Sequence, residues 1–185
     1  SGRVVATEVQ STDGRNSGDA GLTLVGGATI AAPIWTFPVA TPASMTAKEV
    51  VAITNPGASD VDVQIEIQLD DPATNGSTDP FVASVPAHRT VTVDLGADPR
   101  IPRAVGHWML VRAPGGEPIV VARTIGAART ASSGALVSTI GTPVVATHWV
   151  GAVPVPLDAT PALVSIVNPS ASLQSTVTLS IHTGG

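Results

Sequence analysis

The sequence predicts an all-β protein folded as a β-sandwich. Three observations carry that expectation. Val, Ile and Thr make up 58 of the 185 residues, with 18 Gly and 16 Pro to punctuate them. Branched side chains fit a pleated surface, and Gly and Pro end short strands. Residues 61–69 (VDVQIEIQL) alternate apolar and polar positions without a fault, so one face meets a core and the other meets water. Finally, the chain repeats itself with a period near 114 residues. Helix formers are scarce, with one Lys, four Glu, four Gln and ten Leu, and no window carries a helical apolar stripe.

The elements follow in order. Further alternation marks Thr90 to Leu95 and Ser175 to Ile181 as half-exposed strands. Continuous apolar runs at Val50–Ile53, Val105–Val111, Ile119–Ala122 and Ala162–Val167 read as central strands. Turn residues stand between them at Asn55-Pro56-Gly57, Pro114-Gly115-Gly116 and Asn168-Pro169-Ser170. Gly126 to Val137 mixes Ala with Gly, Ser and Thr and reads as linker.

The repeat sets the phase of the domains. Val4-Val5-Ala6 matches Val120-Val121-Ala122, Trp35 matches Trp149, Asn55-Pro56 matches Asn168-Pro169, and Val63, Ile65, Ile67 match Val177, Leu179, Ile181. One complete unit then spans 35–125, with seven strands expected near Trp35, Val50, Val63, Val82, Val91, Met109 and Val120. Seven short strands in such a span point to an immunoglobulin-like sandwich. Residues 1–34 together with 149–185 make a partial second sandwich, and 126–148 link the two. The strand around Val4 is expected to pack with those around Val164 and Val177, within one chain or in a strand-exchanged homodimer. The alternative is that both tails extend the sheets of the central sandwich.

Composition also bounds the function. Charged residues are 12% of the chain and the net charge is −5, which argues against electrostatic capture of nucleic acid. No stretch reads as a membrane span. The absence of cysteine excludes disulfides, thiolate metal sites and a Cys nucleophile, and suits a cytosol or a bacterial surface. Ser1-Gly2 reads as the remnant of a removed tag, so an export signal is expected to have been cut away.

No catalytic, cofactor or metal constellation emerges. The histidines are His88, His107, His148 and His182; their spacing lacks the three or four convergent ligands that zinc needs. Asp70, Asp71, Asn75 and Asp79 crowd one loop and could supply calcium oxygens, but they are also ordinary turn residues. Ser132-Ser133-Gly134 lacks the strand–elbow–helix setting of a hydrolase nucleophile. The residues singled out are therefore structural: Trp35 and Trp149 as core anchors at equivalent places, Trp108 within a buried strand, and the Asn55-Pro56 and Asn168-Pro169 turns.

A Trp followed by a Pro-containing segment (Trp35 to Pro42, Trp149 to Pro156), a strand running into Asn-Pro, and then an alternating strand resembles a family of exported actinobacterial proteins. These are tandem β-sandwiches classed as a domain of unknown function. Pro86 to Arg89 before the Thr90 strand, Val105-Gly106, and Pro118 to Ala122 fit the same pattern. The Asn-Pro turn is also similar to that of many bacterial immunoglobulin-like modules. The chain departs from the family in lacking aromatic and cysteine residues near the second Trp. The resemblance implies export and tandem architecture, with no activity attached. The expected function is a non-enzymatic, exported or cell-surface spacer, scaffold or protein-interaction module with an unidentified protein or cell-wall partner. The alternative is a carbohydrate- or cell-wall-binding domain using Trp108 and Trp149 as platforms.

Overall fold

A computed structural model describes residues 7–13, 20–38, 46–70, 77–96, 98–102, 105–127, 136–149, 164–170 and 172–180. These hold ten strands and no helix: β1 (Thr7–Asp13), β2 (Ala20–Gly26), β3 (Ile34–Phe37), β4 (Thr46–Thr54), β5 (Val61–Leu69), β6 (Phe81–Val85), β7 (Thr90–Asp94), β8 (His107–Arg112), β9 (Val120–Ala127) and β10 (Leu136–Ile140). Among the described residues no helix is long and apolar enough to cross a membrane.

Two four-stranded antiparallel sheets form the sandwich, in the orders β10–β9–β4–β7 and β3–β8–β5–β6. All seven strands expected within 35–125 are present, β3 to β9. β5 occupies the alternating segment 61–69, with Val61, Val63, Ile65 and Ile67 in the core and the residues between them turned outward. The sheets close over a cluster that includes Trp35, Val51, Ile53, Ile65, Met109 and Val111. Each such aliphatic side chain stabilises the fold by about 1.5–3 kcal/mol through burial. The pairing departs from the immunoglobulin order. There the first, second, fourth and fifth strands share a sheet; here β3 and β6 join β5 and β8, while β9 joins β4 and β7.

The segment expected to be linker contributes a strand. β10 pairs with β9 in register Leu136↔Gly126 to Ile140↔Ala122. Its Leu136 and Ser138 are buried despite the Ser/Thr-rich composition, because a β9 edge offers backbone partners that local propensity does not register. A separate hairpin, β1–β2, follows the register Val9↔Leu24 and Ser11↔Leu22. β2 lies beside β10, and the Thr23 hydroxyl accepts the Ser138 amide (3.0 Å). Val4 and Ile181 lie outside the described residues. The strands expected near Val164 and Val177 are not formed: residues 164–170 and 172–180 are irregular.

Candidate functional site

Three strands place a polar side chain at a position where alternation demands an apolar one. On β4, Glu49 is in phase with Val51 and Ile53. On β9, Arg123 is in phase with Val121, and on β8, His107 is in phase with Met109 and Val111. All eight side chains are buried. β4 and β9 are neighbours in one sheet, with Val51 opposite Arg123 and Glu49 opposite Ile125, so Glu49 and Arg123 are diagonal partners on the inner face. His107 reaches them from the other sheet.

The three converge on one oxygen. Glu49 Oε1 accepts from Arg123 Nε at 2.9 Å and meets His107 Nε2 at 3.0 Å. Arg123 Nη2 lies 2.8 Å from the same oxygen. A carboxylate offers no proton, so the bond to histidine requires the proton on Nε2. Among the described residues, the buried His107 Nδ1 has no hydrogen-bond partner. Burial pushes the Glu49 carboxyl up, but the His107 hydrogen bond and the Arg123 charge together outweigh it and hold Glu49 below its ordinary value. Burial also lowers Arg123, and the Glu49 charge partly restores it.

Backbone contacts fix this cluster from behind. The Glu49 carbonyl accepts from Leu95 N (2.8 Å) and Gly96 N (3.3 Å). A Cβ on Gly96 would lie 2.9 Å from Glu49 N, so the close approach requires glycine. Chemically, the cluster is a charged clamp between the two sheets. Glu49, His107 and Arg123 are at most 2% exposed, which leaves no room for a substrate against the reactive atoms.

The residues singled out from sequence fall in several environments. Trp35 is buried, with its indole N–H donating to the carbonyls of Ile119 (2.8 Å) and Ala32 (3.1 Å). Asn55 is buried and ties three segments together. Its Nδ2 donates to Ser59 O (2.7 Å) and Val85 O (3.0 Å), and its Oδ1 accepts from Gly57 N (2.8 Å) across Pro56. Asn168 repeats the motif across Pro169: Nδ2 donates to Leu173 O (2.6 Å) and Oδ1 accepts from Ser170 N (3.1 Å). Asn168 is exposed.

Two expectations for tryptophan need correction. Trp149, expected as a core anchor, is 63% exposed. Trp35 is sealed because β3 is hydrogen-bonded to β8 and its indole meets two carbonyls; the described residues around Trp149 form no strand to supply such a cover. Trp108 is only half-buried. It sits on the outward face of β8, while its neighbour His107 takes the inward place.

Of the remaining candidates, Asp71, Asn75 and His182 lie outside the described residues. Asp70 N donates to Gly106 O (2.7 Å), and the Asp79 carbonyl accepts from Arg100 Nη1 (3.2 Å). Among the described residues no group of three or more His, Cys, Asp or Glu side chains is placed to hold a metal. His88 occupies a turn with φ 57°, and His148 is exposed. A groove of about 310 Å³ runs between residues 26–30 and 140–144, with Trp35 in its wall; its lining contains no titratable side chain.

Sequence reasoning passed over Glu49 and Arg123. The available signal was phase: three polar residues in register with core positions on three separate strands.

No family model matches the chain, and no curated protein matches it. Among solved structures it is similar to Thermotoga maritima 1070, with a TM-score of 0.47 and 19% identity over 60% of this chain and 94% of that one. It is also similar to the Anabaena sensory rhodopsin transducer, with a TM-score of 0.40 and 26% identity over 51% of this chain and 83% of that one.

Proposed function

We propose that the chain is a non-enzymatic β-sandwich module of an exported tandem array, serving as a spacer or scaffold at a bacterial surface. The observation that carries this reading is the recurrence of one turn. Asn55 and Asn168, matched by the sequence repeat, both bond across an Asn-Pro step to the amide two residues on and to a carbonyl four or five residues on. A sequence repeat whose special hydrogen bonding also recurs supports successive copies of one unit, in keeping with the resemblance to exported actinobacterial tandem sandwiches. The sealed Glu49–His107–Arg123 cluster supports a mechanical rather than a chemical use of charge: it joins the sheets and admits no substrate. The test is the genomic reading frame around this sequence. An export signal and further units of this period are expected; a frame with neither overturns the proposal.

One observation favours a second reading, a carbohydrate- or cell-wall-binding domain. Trp149 presents most of its indole to water, and aromatic faces stack on apolar ring surfaces. Retention on peptidoglycan or a glycan array, lost in Trp149→Ala, would replace the spacer reading with this one.

A further inference from the structure

Residues matched by the repeat stand in opposite environments. Val51, Ile53, Val63 and Ile65 are each 0% exposed, whereas their counterparts Val164, Ile166, Val177 and Leu179 are 48%, 55%, 56% and 59% exposed. The Asn168 turn between these two pairs has the bonding of Asn55, which joins β4 to β5. Residues 164–170 and 172–180 thus carry the side chains and the turn of a β4–β5 pair, with the core positions Val164, Ile166, Val177 and Leu179 open to water.

The β1–β2 hairpin presents a matching surface. Val9 stands opposite Leu24, and Ser11 opposite Leu22, so the three apolar side chains share a face. They are 62%, 63% and 64% exposed for Val9, Leu24 and Leu22. β1 is the repeat counterpart of β9 through the match of Val4-Val5-Ala6 to Val120-Val121-Ala122. Within the sandwich, β9 is the strand that pairs with β4, placing Arg123 opposite Val51. Carrying both residues through the repeat places Thr7 opposite Val164, with Val9 beside them on the same face.

We propose that copies of this chain associate head to tail, the β1–β2 hairpin of one copy adding to residues 164–180 of the next. This goes beyond the scaffold reading by naming a partner for the 185-residue chain, a second copy of itself. The occupant follows from the repeat: β9 is what covers β4, and among the described residues β1 pairs with β2 while residues 164–170 form no strand. Every copy offers one of each, so the contact is heterologous and propagates as a chain or closes as a ring. Covering these faces also removes the apolar exposure and open strand edges that otherwise invite indiscriminate aggregation.

Sedimentation velocity of the 185-residue chain tests the proposal. Species heavier than the 18.5 kDa monomer are expected to grow with concentration. Leu24→Asp and Ile166→Asp should each weaken association at least tenfold while leaving the sandwich's thermal unfolding unchanged. A mixture of the two should stop at a dimer, because only one intact head and one intact tail remain to meet. The chain has no cysteine, so a directed cross-link is readable. Mixed T7C and V164C chains should form a disulfide dimer, since directly opposed strand residues lie within disulfide reach. A monomer at all concentrations, association indifferent to both aspartates, or a T7C/V164C double variant that closes only within one chain overturns the head-to-tail contact. Any of these leaves the spacer reading to its own test, the reading frame.

Discussion

His107 Nε2 lies 3.0 Å from Glu49 Oε1 across the interior, linking a strand of one sheet to a strand of the other. Arg123 closes the cluster from the strand next to Glu49. Bringing these groups out of water is costly, and their mutual attraction offsets the cost only while all partners are present.

Removing one member should therefore be worse than removing all three. Glu49→Ala is expected to lower stability by about 3–5 kcal/mol, because it breaks a buried ion pair by removing the carboxylate that Arg123 and His107 share. Replacing Glu49, His107 and Arg123 together by Leu, Phe and Met should be close to neutral or stabilising. Urea titrations of the variants, followed by tryptophan fluorescence, give both numbers. A triple variant as unstable as Glu49→Ala would show that the cluster contributes stability of its own.

Acid should weaken the sandwich through the same carboxylate. The folded-state pKa of Glu49 is lowered, so its contribution is complete above the unfolded value, near 4.5, and is lost as pH falls through the folded value. Asp98, held low chiefly by its hydrogen bonds to Arg100, acts in the same direction from the surface. The urea midpoint should be level near neutrality and fall below about pH 4.5. Glu49→Gln should flatten most of that fall, and an unchanged slope in the variant would place the acid sensitivity elsewhere.

The two Asn-Pro turns should respond unequally. Asn55→Ala strands the buried Val85 carbonyl and the part-buried Ser59 carbonyl and Gly57 amide that the buried Asn55 serves. A loss of roughly 2–3 kcal/mol is expected, since each buried group left unpaired costs about 1–3 kcal/mol. Asn168→Ala acts where water can replace the side chain, so it should change the thermal midpoint of the sandwich little. Calorimetry of both variants makes the comparison.

His88 is the one described non-glycine residue with positive φ, at 57°. That conformation costs an L-residue about 1–2 kcal/mol. The turn holds it because Asn55 N donates to Arg89 O and His88 N donates to Gly57 O. His88→Gly should raise stability by roughly 0.5–1 kcal/mol, the relief exceeding the added entropy of the unfolded chain. His88→Val should lower it, since branching at Cβ worsens the clash. Chemical denaturation that ranks valine above glycine would contradict the strain argument.

The fold was legible where one strand's own pattern suffices. β5 occupies the Val61–Leu69 alternation and β7 that of Thr90 to Leu95, while β4, β8 and β9 lie on expected apolar runs and β3 and β6 at the strands expected near Trp35 and Val82. Trp35 and Asn55 stand out in the sequence because each has a match at the period near 114, and both are buried. β10 was not legible, since its Ser and Thr gain their value from the β9 edge. Trp149 illustrates the converse: its repeat position matches that of Trp35, but recurrence does not supply the strands that bury a side chain.

By itself, then, the sequence determined the all-β class and the places of β3 to β9, because period-two alternation and turn geometry are local properties of the chain. Only the tertiary structure decided which strands share a sheet, which tryptophans are covered, and that Glu49, His107 and Arg123 meet on one carboxylate oxygen. Those outcomes depend on contacts between residues far apart in the chain, 84 positions for Trp35 and Ile119 and 74 for Glu49 and Arg123. Their energy comes from partners brought together by folding, and no local pattern encodes it.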